Sequence, residues 1–140
     1  MSELNLVAIR EAMAARLRNI NGVFVYEQWP GTAQQVPCLV IFPPDRIDYS
    51  KTFNRGTDES TWMLLALAGP MSPTAQRILE QLMSGTGSLS VIQCLGADRT
   101  LGGTVSTLKV PEANTGIFSV PMSGGTQNLI GVEFTVTVMG

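Results

Sequence analysis

Residues 129–138 read LIGVEFTVTV, and their strict alternation points to the fold class of this chain. Apolar side chains occupy every second position, and mostly polar ones fall between them: Ile130, Val132, Phe134, Val136 and Val138 against Glu133, Thr135 and Thr137. Because successive side chains of a β-strand point to opposite faces, this pattern predicts a strand with one buried and one solvated face. Such a strand is typical of an antiparallel sheet that packs one face on a core.

Five further stretches predict strands: Val23–Tyr26, Val36–Phe42, Thr61–Ala68, Val105–Val110 and Ile117–Met122. Pro43-Pro44 ends the second stretch, because proline cannot continue the hydrogen bonds of a sheet. The second and third stretches are apolar at consecutive positions and therefore need cover on both faces. In a chain of 140 residues, we expect part of that cover to come from another chain.

Two helices are predicted by apolar spacing, and a third is compatible with the sequence. Glu3–Asn19 carries an apolar stripe in steps of three and four, made of Leu6, Ile9, Met13, Leu17 and Ile20. Ser72-Pro73 opens a second helix with a capping residue and a first-turn proline; its predicted buried side is Ala75, Ile78, Leu79, Leu82 and Met83. Residues 88–95 suit a third, shorter helix. We therefore expect one domain over residues 1–140, an α+β fold in which two to three helices pack on a mostly antiparallel β-sheet, with a long loop between strands 2 and 3.

The composition is poor in charge. Charged residues make up 14% of the chain, against about 25% in an average soluble domain. A surface this neutral is prone to associate. The net charge of −2 argues against a nucleic-acid binder held by phosphate contacts, and no apolar run is long enough to predict a membrane span. The first residues lack the basic and apolar regions of a signal peptide, so we expect the chain to be made in a cytoplasm.

The same composition leaves little for catalysis. The chain has no histidine, which excludes Ser-His and Cys-His nucleophile pairs and most zinc sites. Cys38 and Cys94 each lie in an apolar stretch and are expected to be buried free thiols. Residues 84–88, SGTGS, lack the Gly-Lys-Ser/Thr ending of a phosphate-binding loop. We therefore expect no enzyme activity, no catalytic residue, no metal site and no cofactor.

The stretch from Pro43 to Ser60 is the first candidate interaction site. Loops of this length in a small domain are usually functional or disordered. Seven of the twenty charged residues lie between Asp45 and Glu59, and arginine and aromatic side chains are common anchors of protein interfaces. We predict a docking loop with these contact residues: Arg46, Asp48, Tyr49, Lys51, Phe53 and Arg55. The alternative is a solvated hairpin tip whose charges serve solubility.

Two further segments are candidates for an interface. Ala8, Ala12 and Ala15 share one face of the first helix, where small side chains would let a neighbouring subunit approach closely. The alternative is that alanine is simply the best helix former. Residues Pro111–Asn128 carry Ile117, Phe118 and Val120 between glycine-rich turns and suit either a second docking arm or an ordinary edge hairpin.

Several segments spread along the chain resemble one protein family. They are residues 20–26 (INGVFVY), 49–58 (YSKTFNRGTD), 75–88, 101–105 (LGGTV) and 131–136 (GVEFTV). Together they resemble the tail terminator, or tail-completion, proteins of long-tailed, non-contractile bacteriophages, in the versions found in phages of actinobacteria. The resemblance covers nearly the whole length and includes no catalytic signature.

The resemblance implies a homohexameric ring in the tail or neck of the virion, assembled in the cytoplasm of the host bacterium. The ring would sit on the tail tube protein, stop its polymerisation and offer a joining surface to the head-closure (connector) protein. Genome DNA would pass through the lumen without sequence-specific binding, which suits a negative net charge. An adjacent neck protein or a tail tube subunit is the alternative within this class, and a small-molecule-binding α+β module is the alternative outside it.

Overall fold

A computed structural model describes the chain at residues 5–20, 22–27, 37–48, 58–70, 72–97, 99–103, 105, 107–122 and 125–139. In chain order the elements are α1 (Leu6–Leu17), β1 (Phe24–Tyr26), β2 (Cys38–Ile41), β3 (Arg46–Asp48), β4 (Glu59–Pro70), α2 (Pro73–Met83), α3 (Val91–Gly96), β5 (Thr107–Met122) and β6 (Gly125–Met139). The strands form one mostly antiparallel sheet, and the three helices pack on one face of it. The predicted α+β fold class is confirmed.

The strands follow the spatial order β1-β2-β4-β6-β5, and β3 pairs with β4 outside this path. Among the described strands, β1 and β2 alone run parallel, and the other four pairs are antiparallel. The 12-residue β4 and the 15-residue β6 form the centre of the sheet. Their register places Leu64 opposite Phe134, so the alternation of residues 129–138 continues across the neighbouring strand.

One sheet face, which we call the helix face, holds the main core. It carries Trp62, Leu64, Phe134 and Val136, all within 1% of complete burial, against residues of the three helices. The apolar stripe predicted for the first helix is confirmed, with Ile9, Met13, Leu17 and Ile20 buried. In α2, three of the five predicted side chains are buried and the other two are partly buried against the same core.

The other sheet face, the second face, has a smaller apolar cluster: Cys38, Val40, Leu65, Leu67, Val120 and Leu129. Val120 and Leu129 belong to the hairpin of β5 and β6, and all six side chains are buried within one copy. The sequence could not show this cluster, because it joins residues far apart along the chain. The expectation that another chain supplies part of the cover stays a prediction.

Polar side chains fix the beginnings of the helices. Asn5 caps α1 by accepting the backbone N–H of Ala8 at 3.1 Å, and Ser72 caps α2 by accepting that of Ala75 at 3.1 Å. Ser90 caps α3, and its hydroxyl also donates to the carbonyl of Ser84 after α2. None of the described helices is both long and apolar enough to cross a lipid bilayer.

Two strand boundaries differ from the sequence prediction. Arg46–Asp48 forms β3 opposite Glu59–Thr61, so a short strand interrupts the loop predicted from Pro43 to Ser60. Three residues are too few to show an alternation. The two strands predicted at Val105–Val110 and Ile117–Met122 form one 16-residue strand, β5, with a register shift between Lys109 and Glu112. Residues 111–122 lie in β5 at the border of the sheet, paired with β6, as an edge hairpin requires; their role as a docking arm stays a prediction.

A buried hydrogen bond on the helix face gives the first prediction. The indole N–H of Trp62 donates to the hydroxyl oxygen of Ser60 at 2.7 Å, and both side chains are buried. Ser60→Ala removes the acceptor and leaves a buried donor, which costs about 1–3 kcal/mol. We expect urea unfolding to show this loss. In a Trp62→Phe background the same substitution should cost much less, and equal losses in both backgrounds would contradict the role of the bond.

Candidate functional site

The structure places two of the six predicted loop residues. Arg46 and Asp48 lie on β3, opposite Thr61 and Glu59, and their side chains share the second face of the sheet. Arg46 is exposed and Asp48 is half-buried. The other four, Tyr49, Lys51, Phe53 and Arg55, lie outside the described residues. Asp58, in the same stretch, is buried, so the exposed charge of the described part of this stretch is carried by residues such as Asp45 and Arg46.

The alanine face of α1 is only partly open. Ala8 and Ala12 are half-buried, and Ala12 packs against the main core, whereas Ala15 is exposed. Ala12 and Ala15 line a shallow groove of about 290 Å³ together with Arg16, Asn19, Leu101 and Gly102. The structure thus brings two of the three alanines into one surface depression, and Ala8 lies outside it.

The most distinctive surface is one that the sequence did not reveal, the two open edges of the sheet. The sheet ends at β1 on one side and at β5 on the other, and among the described residues no strand pairs with the outer edge of either. An open edge presents unpaired backbone N–H and C=O groups and is a template for pairing with another strand. Natural edges are usually short or protected by charge.

The outer edge of β5 can be read residue by residue. The carbonyl of Met63 on β4 accepts the backbone N–H of Phe42 at 3.1 Å, so the backbone groups of Met63 face β2. By alternation, Ala66 and Val132 face each other between β4 and β6, and Gly131 faces Gly116 between β6 and β5. Pro121, which has no N–H, then falls at an outward-facing position of β5. By alternation, the N–H and C=O groups of Ala113, Thr115, Ile117 and Ser119 point away from β6. Residues 113–120 read ANTGIFSV and carry no charge.

The outer edge of β1 is shorter and has the same character. The backbone N–H of Phe24 donates to the carbonyl of Pro37 at 3.1 Å, so it points toward β2. Alternation then directs the N–H and C=O groups of Val25 outward. The side chain of Phe24 is 48% exposed.

Exposed apolar side chains are concentrated on these two edges. Three large apolar side chains are strongly exposed among the described residues: Val7 on α1, Phe24 on β1 and Ile117 on β5, the last at 63%. Ile117 also borders a groove of about 240 Å³ between α2 and the hairpin, lined by Gln76, Leu79 and Ile130. Both edges therefore combine open backbone groups with an uncovered apolar side chain.

The two cysteines do not extend the site. Burial raises the pKa of the Cys38 thiol to about 11, a change opposed by a backbone hydrogen bond with Leu67. Cys94 is half-buried, and burial raises its pKa as well, against the attraction of Arg16. Its thiol donates to the Arg16 carbonyl at 3.1 Å, while the Arg16 Nε–H donates to the Cys94 carbonyl at 2.9 Å. These paired bonds join α1 to α3.

The raised pKa of Cys38 gives a pH prediction. Above pH 9 the thiol ionises in the unfolded chain but stays protonated in the folded one, so folding loses stability as the pH rises. We expect the free energy of unfolding to fall between pH 9 and about 11 more steeply in the wild type than in Cys38→Ala. Urea titrations across this range measure the difference. Parallel curves for the two proteins would contradict a thiol held protonated in the fold.

The described residues contain no group of three or more cysteine, aspartate or glutamate side chains arranged to hold a metal ion. Neither a scan against protein-family models nor a search of curated proteins finds a match to this chain.

Proposed function

We propose that the chain is a structural virion protein, a tail terminator that forms a ring on the tail tube of a long-tailed phage. The observation that supports it best is the pair of open sheet edges, each with an exposed large apolar side chain. The two edges differ in sequence and length, so a contact between the β1 edge of one copy and the β5 edge of the next joins unlike surfaces. Contacts between unlike surfaces join copies head to tail and produce a ring when the rotation closes.

The position of the ring follows from the resemblance of the sequence to phage tail terminators. The ring caps the tail tube protein, ends its polymerisation and offers a joining surface to the head-closure protein. Genome DNA passes through the lumen, and a net charge of −2 per copy avoids a general attraction to its phosphates. Assembly takes place in the cytoplasm of the bacterial host.

The charged end of the sheet suits the axial contacts of such a ring. On β3, Arg46 is exposed and Asp48 is half-buried, so this end of the sheet presents charge to a partner. Contacts rich in charge are suited to partner choice rather than to permanent burial. We assign this end to the tail tube protein or the head-closure protein.

The proposed activity is tested by polymerising the tail tube protein of the same phage with and without this chain. We expect shorter tubes with a single ring at one end when the chain is present. Tubes of unchanged length, with no bound ring, would overturn the proposal. Long tubes made of this chain alone would favour a tube subunit, and a monomer or dimer that binds a small molecule would favour the ligand-binding alternative.

The groove on α1 gives a prediction for the ring. If a neighbouring copy packs on this groove, Ala15→Glu places a charge against it and weakens the ring without unfolding the chain, because Ala15 is exposed. We expect light scattering to show a lower oligomeric mass at equal concentration. Thr74→Glu, on the exposed side of α2, is the control that should assemble normally. A ring unaffected by Ala15→Glu would remove the alanine face from the interface.

A further inference from the structure

We propose that β1 of one copy adds antiparallel to the outer edge of β5 of the next copy, with Phe24 opposite Gly116. The partner at this edge is thus a second copy of the same chain. The inference rests on the proposed ring and names the two surfaces that build it.

Strand direction favours this pairing. β1 runs parallel to β2, β2 antiparallel to β4, β4 antiparallel to β6, and β6 antiparallel to β5. Within one copy, β1 and β5 therefore run in opposite directions. When sheets repeat side by side in the same orientation, β1 of the next copy meets β5 as an antiparallel neighbour, which is the more stable pairing.

The positions of the residues along the two edge strands also match. One row of cross-strand partners runs across the five strands from β1 to β5. Its members, in spatial order, are Phe24, Cys38, Leu67, Gly131 and Gly116. When a neighbouring copy continues this row of partners, its Phe24 lies opposite Gly116 and its Val25 lies opposite Thr115. Val25 and Thr115 are the residues whose N–H and C=O groups point outward, so they exchange backbone hydrogen bonds in this register.

The side chains fit in the same register. Among the described residues, a Cβ at Gly116 would meet only the ring of Phe118, at 3.6 Å, and Gly116 is exposed, so the second face is open at this position. The exposed ring of Phe24 from the next copy can lie over Gly116 and beside Phe118. An aromatic residue opposite an edge glycine covers backbone that glycine leaves bare, and aromatic cross-strand neighbours add stability.

Charge favours a second copy as the occupant. Neither Phe24–Tyr26 nor residues 113–120 carries a charged side chain, so copies meet at these edges without like-charge repulsion. The chain carries both complementary edges, one on each side of the sheet, and each copy has one of each to offer. This is the arrangement that closes a ring with no edge left over.

Disulfide trapping tests the register. In the proposed register, Tyr26 lies opposite Asn114 of the next copy. Within one chain, the same two residues are four strand spacings apart, roughly 19 Å. A disulfide needs Cβ atoms within about 4.5 Å. We expect the full-length double variant Tyr26→Cys/Asn114→Cys to form covalent dimers and longer oligomers on mild oxidation, which a reducing agent reverses.

The matched control is Tyr26→Cys/Thr115→Cys, in which the second cysteine moves by one residue to the opposite sheet face. We expect roughly tenfold less cross-linked product from it, because its Cβ atoms point apart. Equal cross-linking of the two variants, or none in either, would overturn the inference. Wild-type rings seen by electron microscopy in that case would leave the proposed function standing, so the two failures are distinguishable.

Discussion

Gly131→Ala is expected to lower the free energy of unfolding by about 3 kcal/mol or more, the upper range for overpacking a core. A Cβ at this position would lie 2.5 Å from the backbone carbonyl oxygen of Ala66, and it would also crowd the side chains of Leu67 and Phe118. Ala66 is fully buried on the central strand β4, so its backbone cannot move aside cheaply. In a domain of this size the loss corresponds to roughly 10 °C in melting temperature.

Gly116, the cross-strand partner of Gly131, is the matched control. Its Cβ would meet the Phe118 ring at an ordinary contact distance of 3.6 Å, so Gly116→Ala should change stability by less than about 1 kcal/mol. Calorimetry and urea unfolding of the two variants make the comparison. Equal stability of Gly131→Ala and wild type would contradict the close approach of β6 to β4.

Phe24→Lys is expected to prevent ring formation while the chain stays folded. Full burial of an aromatic side chain contributes about 2 kcal/mol. Because 48% of Phe24 remains exposed within one copy, the contact gains about 1 kcal/mol, and its loss corresponds to roughly fivefold weaker association. A closed ring multiplies this loss over every contact. Folding loses only the part of the Phe24 burial that exists within one copy, because the side chain is 48% exposed there.

Gln81→Lys adds the same charge to the exposed side of α2 and serves as the control. Sedimentation at equal concentration should give the wild-type assembly for Gln81→Lys and a much smaller species for Phe24→Lys. Circular dichroism checks that both variants are folded. An assembly of unchanged mass in Phe24→Lys would exclude the β1 edge from the subunit contact.

The parts of the fold that local patterns control were predictable. The alternation of residues 129–138 identified the central strand, and the capping signal at Ser72-Pro73 located the start of α2. The stripe on α1 was predictable because its spacing alone determines which side faces the core. The free, buried state predicted for Cys38 is confirmed, whereas Cys94 is only half-buried.

The parts that depend on distant pairing were not predictable. β3 exists because Glu59–Thr61 offers an edge to residues 46–48, and no local pattern marks three residues. The open edges depend on the spatial order of the strands, which the sequence does not state. A signal for the β5 edge was present, since Pro111 and Pro121 enclose residues 113–120 without any charge, but it is informative only when β5 is known to lie at the border.

Electron microscopy of the purified chain, mixed with the tail tube protein of the same phage, tests the central claim most directly. The account predicts closed rings of six copies that do not stack and that sit at the end of the tubes. Chains that remain single copies or dimers beside uncapped tubes would contradict it.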